Sequence, residues 1–513
     1  MSEMVGKPKS RRSLGGVRGF GMVAGMFKSG KHDRNDGQWG TIPVSADVFI
    51  ALRQQALVAR SREQWSNNDY VKGFIRIARN NVAGPKGVLV EAQVTKTNGK
   101  FDKNVNDAID AGWNDWGMRG NCEVTGRLSW KQLQRLAVEH AARDGEFIFR
   151  KVIGGDAGKY GYQLQIIDPQ RLPVGYENVK MDGGGFIRHG IEFNRFGKPV
   201  AYHFTSMDEW DAYFYSSNGV GYIRIPADEI IHDFITEMAG QKRGIPWTAT
   251  SLFRLHHLQG FEDAAVQAAR AGASSMAFIK YEEGFGPEAD DDVDVASTIE
   301  AGPLAFNELP EGASIQEFKP NYPAGEFAAH IKTTLRGSAV GLGVPYNTLA
   351  DDLEGVNFSS IRSGELTARE NWKELQDWLI DGLVQTVRND WLKMAVLKGL
   401  LKTKTGAALS ASKIESYSPA HCQGRRWAWV DPKSDATANV TAVRAGFKSI
   451  SSVIREQGGN PDQVIREYVD DYKRFKAEGM ADELIMVIFG IIPAPEASPN
   501  KADESAGKEP AAT

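Results

Sequence analysis

The stretch from Ser359 to about Leu401 constrains this chain more than any other. Leu375, Leu379, Leu383, Val387 and Trp391 recur there every four residues and make one apolar ridge. The spacing predicts a very long helix, capped by Ser359 or Asn357, with Gly364 as the place to kink. Two further helices precede it. "RGIPWTATSLFRLHHLQGFEDAAVQAARAG" reads as one helix from Pro246, which presets φ, to Gly272, with Leu252, Leu255, Leu258 and Phe261 at helical spacing. "PAGEFAAHIKTTLRGSAVGLG" reads as a second, Pro323 to Gly343. Between them, Glu282 to Glu317 is rich in Asp and Glu and holds no Lys or Arg, with "SMAFIKY" and "SIQEFKP" as short strands at its ends. Two antiparallel helices with an insert at one end and a loop at the other leave faces that one subunit cannot bury. Closure into a ring is the natural solution.

The first half reads as mixed helix and strand. Ala46 to Asn81 is helical in pattern, with Val48, Leu52, Leu57 and Val58 on one side. "DKNVNDAIDAGWNDW" and "SWKQLQRLAVEHAARDG" are amphipathic helices, the second capped by Ser129 and stopped by Gly145. "EFIFRKVIGG" and "YQLQIIDPQRL" read as strands, "GFIRHGIEFNRFGKPVAYHF" as a hairpin, and "IRIPADEIIHDF" as one more strand. After the long helix, "VDPKSD" to "KAEGM" holds two or three short polar helices. Residues 1–44 form a basic arm and residues 486–513 a Pro- and Ala-rich tail, both of the composition of disorder.

Composition narrows the function. The 513 residues suffice for roughly two to four domains' worth of core. A net charge of −4 argues against a surface that grips nucleic acid throughout, though not against one that lets it pass. Cys122 and Cys422 stand far apart and suggest neither a disulfide framework nor a zinc site, so a reducing compartment is expected. No apolar run reaches the length of a membrane span. "GMFKSGKH" imitates a phosphate-binding loop but puts His32 where Ser or Thr would hold Mg²⁺, and no strand leads into it. "ADDDVDVASTIE" lacks the turn glycine of a calcium loop. His232 with Asp233 is the nearest thing to a catalytic pair, but neighbours on a strand point to opposite faces. The sequence therefore predicts no catalytic, cofactor or metal site.

The order of elements and several stretches of wording resemble the portal proteins of tailed bacteriophages, in particular the lambda-type family. "LGVPYNTLADDLEGVNFSSIRSGELTARENW" is similar to the family's segment of that kind, as are "IDPQRLP", the "GGGFIRHGIEFNRFGKPVAYHF" hairpin, "RGIPW" and "SVIREQGGNPDQV". The likeness spans roughly residues 45–480. It implies an α+β, mainly helical portal fold assembled as a ring, twelve-fold in the family. By the same resemblance 45–242 is the wing, 243–273 and 321–343 are the stem helices, and 274–320 is the clip. Residues 344–358 become the tunnel loop, 359–434 the long wing helix with its following segment, and 435–485 the crown. Such a ring sits at one capsid vertex of the virion, assembles in the host cytoplasm, nucleates the head and passes double-stranded DNA in during packaging and out during ejection. Its implied partners are further copies of itself, the large terminase subunit, the capsid and scaffolding proteins, and the neck proteins.

Residue roles follow from those expectations. Asn347, Thr348, Asp351, Asp352, Glu354 and Asn357 would line the channel, where acids repel phosphate and amides bind it only transiently. Glu288, Asp290, Asp291, Asp292 and Asp294 of the clip would dock terminase and then neck proteins. Leu252, Leu255, Leu258 and Phe261 would form the ring interface. Two rivals stand beside this expectation: a head or neck component that is not the channel, and a cytosolic hydrolase using His232 and Asp233.

Overall fold

A computed structural model describes residues 43–178, 181–205, 221–273, 277–281, 313–317, 327–354, 357–427, 432–482 and 484. The basic arm, the acids Glu288, Asp290, Asp291, Asp292 and Asp294, and the tail lie outside the described residues, as does "GMFKSGKH".

The chain enters through α1 (Ala46–Phe49), a π-turn at Ile50–Gln54 and α2 (Gln55–Asn67). Asn68 then breaks the helix and caps α3 (Asp69–Val82), its side chain accepting from the N–H groups of Tyr70 and Val71. Only part of the predicted apolar side is buried. Val58 is, but Val48 and Leu52 are 43% and 70% exposed, and Ile50, Gln54, Ser61 and Gln64 face inward in their place. On this inner face Ser61 has a partner in Thr248 at 2.9 Å and the Gln64 amide nitrogen one in His256 at 3.3 Å.

Strand β1 (Leu89–Ala92), α4 (Lys103–Trp116) and α5 (Trp130–Asp144) follow. Ser129 and Gln132 make a capping box on α5, and Gly145, at φ 93°, ends it as predicted. Strands β2 (Glu146–Ile153) and β3 (Tyr162–Ile167) pair antiparallel. The predicted hairpin forms three strands, β4 (Phe186–Arg188), β5 (Ile191–Phe193) and β6 (Pro199–Thr205), because His189 and Gly190 add a second turn. "IRIPADEIIHDF" is two strands. β7 (Tyr222–Pro226) completes the sheet β4-β5-β6-β7, and β8 (Ile230–Phe234) completes β3-β2-β8. The Ala227–Glu229 turn after Pro226, which has no N–H to donate, separates them. Ile148, Phe193, Tyr202, Phe204 and Ile225 share the core of this β region.

Helix α6 runs Leu252–Ala273 and begins later than Pro246 suggested. The backbone before it is already committed elsewhere. Gly244 N–H donates to Glu146 at 2.8 Å and Trp247 N–H to the Ala142 carbonyl at 3.1 Å. Strands β9 (Ala277–Tyr281) and β10 (Ala313–Glu317) pair antiparallel, and α7 (Phe327–Leu342) runs back along α6, with Ser251 Oγ donating to the Ser338 carbonyl at 3.0 Å.

After α8 (Tyr346–Ala350) comes the long helix. It is α9 (Phe358–Leu379), a π-turn at Ile380–Val384, and α10 (Gln385–Leu397). It passes Gly364 as α-helix and widens at Gly382. A methyl group on Gly382 would stand 1.7 Å from an Asp233 oxygen of β8, so the helix accommodates a neighbour there. Leu379, Leu383, Val387 and Trp391 are buried as predicted, and Trp391 packs with Trp113 and Trp116 at centroid distances of 5.2 and 6.3 Å. Strand β11 (Ala420–Gln423) pairs with β1, joining the two ends of this body. Three polar helices close the chain, α11 (Pro432–Arg444), α12 (Ile450–Glu456) and α13 (Pro461–Ala477).

Candidate functional site

The link between α7 and α9 is more ordered than its composition suggests. Gly343, at φ 68°, turns the chain out of α7, and Val344 and Leu349 anchor the link in the main core. Pro345 supplies the extended residue before α8, and Asp351, at φ 52°, ends that helix in the left-handed region. Asp352 then folds back. One of its oxygens accepts from Tyr346 Oη at 2.8 Å, the other from Glu354 N–H at 2.9 Å, and Lys332 Nζ lies 3.3 Å away. The hydrogen bond from Tyr346 leads in holding the Asp352 carboxyl below its usual pKa, with Glu354 N–H and Lys332 adding to it. The cations of Lys332 and Arg336 both stand over the Tyr346 ring, 5.8 and 5.5 Å from its centre.

The six residues predicted for this loop therefore divide. Asp351, Glu354 and Asn357 are exposed. Asn347 is half-buried, and Thr348 is tied to α9, its hydroxyl donating to Glu365 at 2.9 Å. Asp352 is an internal strut and does not present a bare charge. An acid six residues after a tyrosine and four after a threonine gave no sign that it would be tethered.

The expected ring-interface residues are corrected more sharply. Leu252, Leu255 and Leu258 are 5%, 0% and 1% exposed within one subunit, and Phe261 is half-buried against Phe327 and His330. Leu255 and Leu258 share a core with Leu335, Ala339 and Leu342 of α7 and with residues of α3. The helical stripe was read correctly, but within one subunit α7 and α2 already pack against α6. The outward apolar residues are Phe253 and Val266 on α6 and Val340 on α7, at 75%, 57% and 83%.

His232 and Asp233 point apart, as strand geometry requires. His232 lies 3.0 Å from Glu146 and takes part in a buried ion network. Glu146 also accepts from Arg243 at 2.5 and 2.8 Å, and Arg243 donates to the carbonyls of Leu172, His189 and Pro169. Burial would raise the Glu146 pKa, but Arg243 and His232 hold it well below the usual carboxylate range. Asp233 faces Gly382 instead, and burial raises its pKa. The two side chains cannot act on one substrate, so the hydrolase rival falls. Among the described residues no group of three His, Cys, Asp or Glu side chains could hold a metal ion, and both cysteines are free.

The family described as "Phage portal protein, lambda family" matches residues 32–376. A "Probable portal protein" of Halomonas phage phiHAP-1 is 33% identical over 463 residues, covering 88% of this chain and 87% of the relative. Chains in the neck of gene transfer agent particles give TM-scores of 0.42 and 0.41 at 12% and 13% identity. They cover 79% and 80% of this chain, and 94% of each neck chain, in a native particle computed with C12 symmetry and an empty one computed with C6 symmetry. On the family match and the Halomonas phage relative, this chain belongs to the lambda family of phage portal proteins, which are structural channel proteins and not enzymes.

Proposed function

We propose that this chain closes into a twelve-membered ring at one capsid vertex of the virion, with the link between α7 and α9 facing a central DNA channel. The observation that carries the reading is the build of that link. It is braced from both sides, through Asp352 and Thr348, yet leaves Asp351 and Glu354 exposed at its tip. A rigid rim with outward acids stays clear of phosphate without collapsing onto it. In this reading α6 and α7 are the stem, residues 274–320 the clip, residues 45–242 most of the wing, and α11 to α13 the crown.

The subunit contact falls to the exposed apolar residues Phe253, Val266 and Val340, with Val48 and Leu52 of the first helical turns as a second apolar face. A ring needs two different faces that meet head to tail. The acids Glu288, Asp290, Asp291, Asp292 and Asp294 remain the proposed docking point for terminase and neck proteins, and capsid and scaffolding proteins remain the proposed outer partners. No helix among the described residues is long and apolar enough to cross a membrane. Negative-stain imaging of the purified protein tests the proposal. Rings with a central hole and twelve subunits are expected; small closed oligomers without a hole would overturn it.

A further inference from the structure

Arg388 of α10 is 2% exposed, and among the described residues its hydrogen bonds go to carbonyls and not to a carboxylate. Its Nη1 donates to the Ser418 carbonyl at 2.6 Å and its Nη2 to the Tyr417 carbonyl at 3.5 Å. A guanidinium has five N–H bonds, so two carbonyls do not use all of its donors, and neither acceptor carries a full charge. The contrast with Arg243 is direct, since that equally buried arginine is matched by the Glu146 carboxylate. Asp110 influences Arg388 only through space, and its own oxygen accepts the Ala92 N–H at 2.9 Å. Buried charges are ordinarily paired within the protein or met by a ligand.

Arg388 also lines an open cleft of ≈ 400 Å³, together with Gln385, Asn389, Glu415, Ser418 and Cys422. The cleft sits between α10 and the start of β11, away from the link between α7 and α9. We propose that it is a binding site for a phosphate group. Arg388 supplies the charge and a forked set of donors, while the Asn389 amide and the Ser418 hydroxyl add neutral ones; the Gln385 amide nitrogen already donates to Asp381 at 3.1 Å. Donors from several directions suit a tetrahedral oxyanion better than a planar carboxylate. Glu415, exposed on the rim, opposes the ligand and weakens its binding. The cleft is roomier than a free phosphate ion needs, so a phosphate carried on a nucleotide fits as well.

Calorimetric titration of the full chain, at constant ionic strength, decides this. Inorganic phosphate, deoxyadenosine monophosphate and acetate are the three probes. Phosphate should bind and acetate should not. R388M should weaken phosphate roughly tenfold or more, the loss of a charge-assisted contact. E415Q should tighten it. Tighter binding of the nucleotide than of phosphate would assign a nucleotide phosphate as the source, and equal binding the free ion. If R388M does not fold, N389L serves in its place and should weaken phosphate without unfolding the chain. Absence of phosphate binding to the unaltered protein would overturn the site, as would full binding by R388M or N389L. Acetate binding as tightly as phosphate would overturn the phosphate assignment.

Discussion

Asp351, Asp352 and Glu354 carry the same formal charge but hold different posts, and substitution should separate them. Replacing Asp351 and Glu354 with Lys adds exposed cations without touching the Tyr346–Asp352 hydrogen bond. Rings should form but retain DNA, so packaging or ejection slows. The defect should ease as salt rises, because exposed charges are screened over about 10 Å at 0.1 M. Rates measured at several salt concentrations check this, and normal rates at low salt would remove the link from the channel. D352N should instead loosen the link, raising its protease sensitivity. A second residue-scale prediction concerns Glu146. Its folded pKa is depressed from the ordinary 4.5, so the stability it contributes is complete above that value and fades as pH falls through the lower folded one. E146Q leaves Arg243 buried and uncompensated, which should cost about 3–5 kcal/mol at pH 7. Denaturant titration at pH 7 and pH 3 should find a smaller difference between variant and parent at the lower pH. At this scale the sequence was least legible. Glu146, Arg243 and Arg388 are ordinary letters in a strand, a turn and a helix, and only the packing of distant segments removes them from water.

Elements were far more legible, since their signals are local. Gly145 and Ser129 marked the ends of α5, and the four-residue ridge of Leu379, Leu383, Val387 and Trp391 fell on the buried side of the long helix. The failures have one cause. Where a tertiary partner claims the backbone or a face, local pattern gives way. The N–H groups before α6 are spent on α5 and on Glu146, and the first helices bury Gln54 and Gln64 while leaving Leu52 outside. The π-turn at Gly382 belongs to the same class, as Asp233 comes from a strand far away in sequence. G382A should force the two apart and cost about 1–3 kcal/mol. In a D233A background the same change should cost much less, and a double-mutant cycle by denaturant unfolding measures that coupling. Equal costs in both backgrounds would mean that the helix widens for some other reason.

For the whole molecule, a resemblance in the order and wording of segments carried the family, and the family match and the portal relative bear it out. What pattern could not tell is which apolar residues serve the subunit and which are left for its neighbours, because both kinds follow the same helical spacing. The distinction is testable. L255A should lower subunit stability by about 2–5 kcal/mol, since it empties a filled core position. V340D and F253D should leave the subunit folded, by circular dichroism, but shift sedimentation from rings to single chains. Rings at normal yield from both would mean that the contact lies elsewhere. The pairing of β1 with β11 carries a last consequence. Leu89 meets Gln423, so the body of the subunit is closed by a strand synthesised long after its partner. A nascent chain holding α6 and α7 lacks that strand and the long helix whose tryptophan fills the core. Contacts this distant in sequence form late. Synthesis itself thus acts as a clock, and each subunit becomes fit to join its neighbours only once β11 has been made.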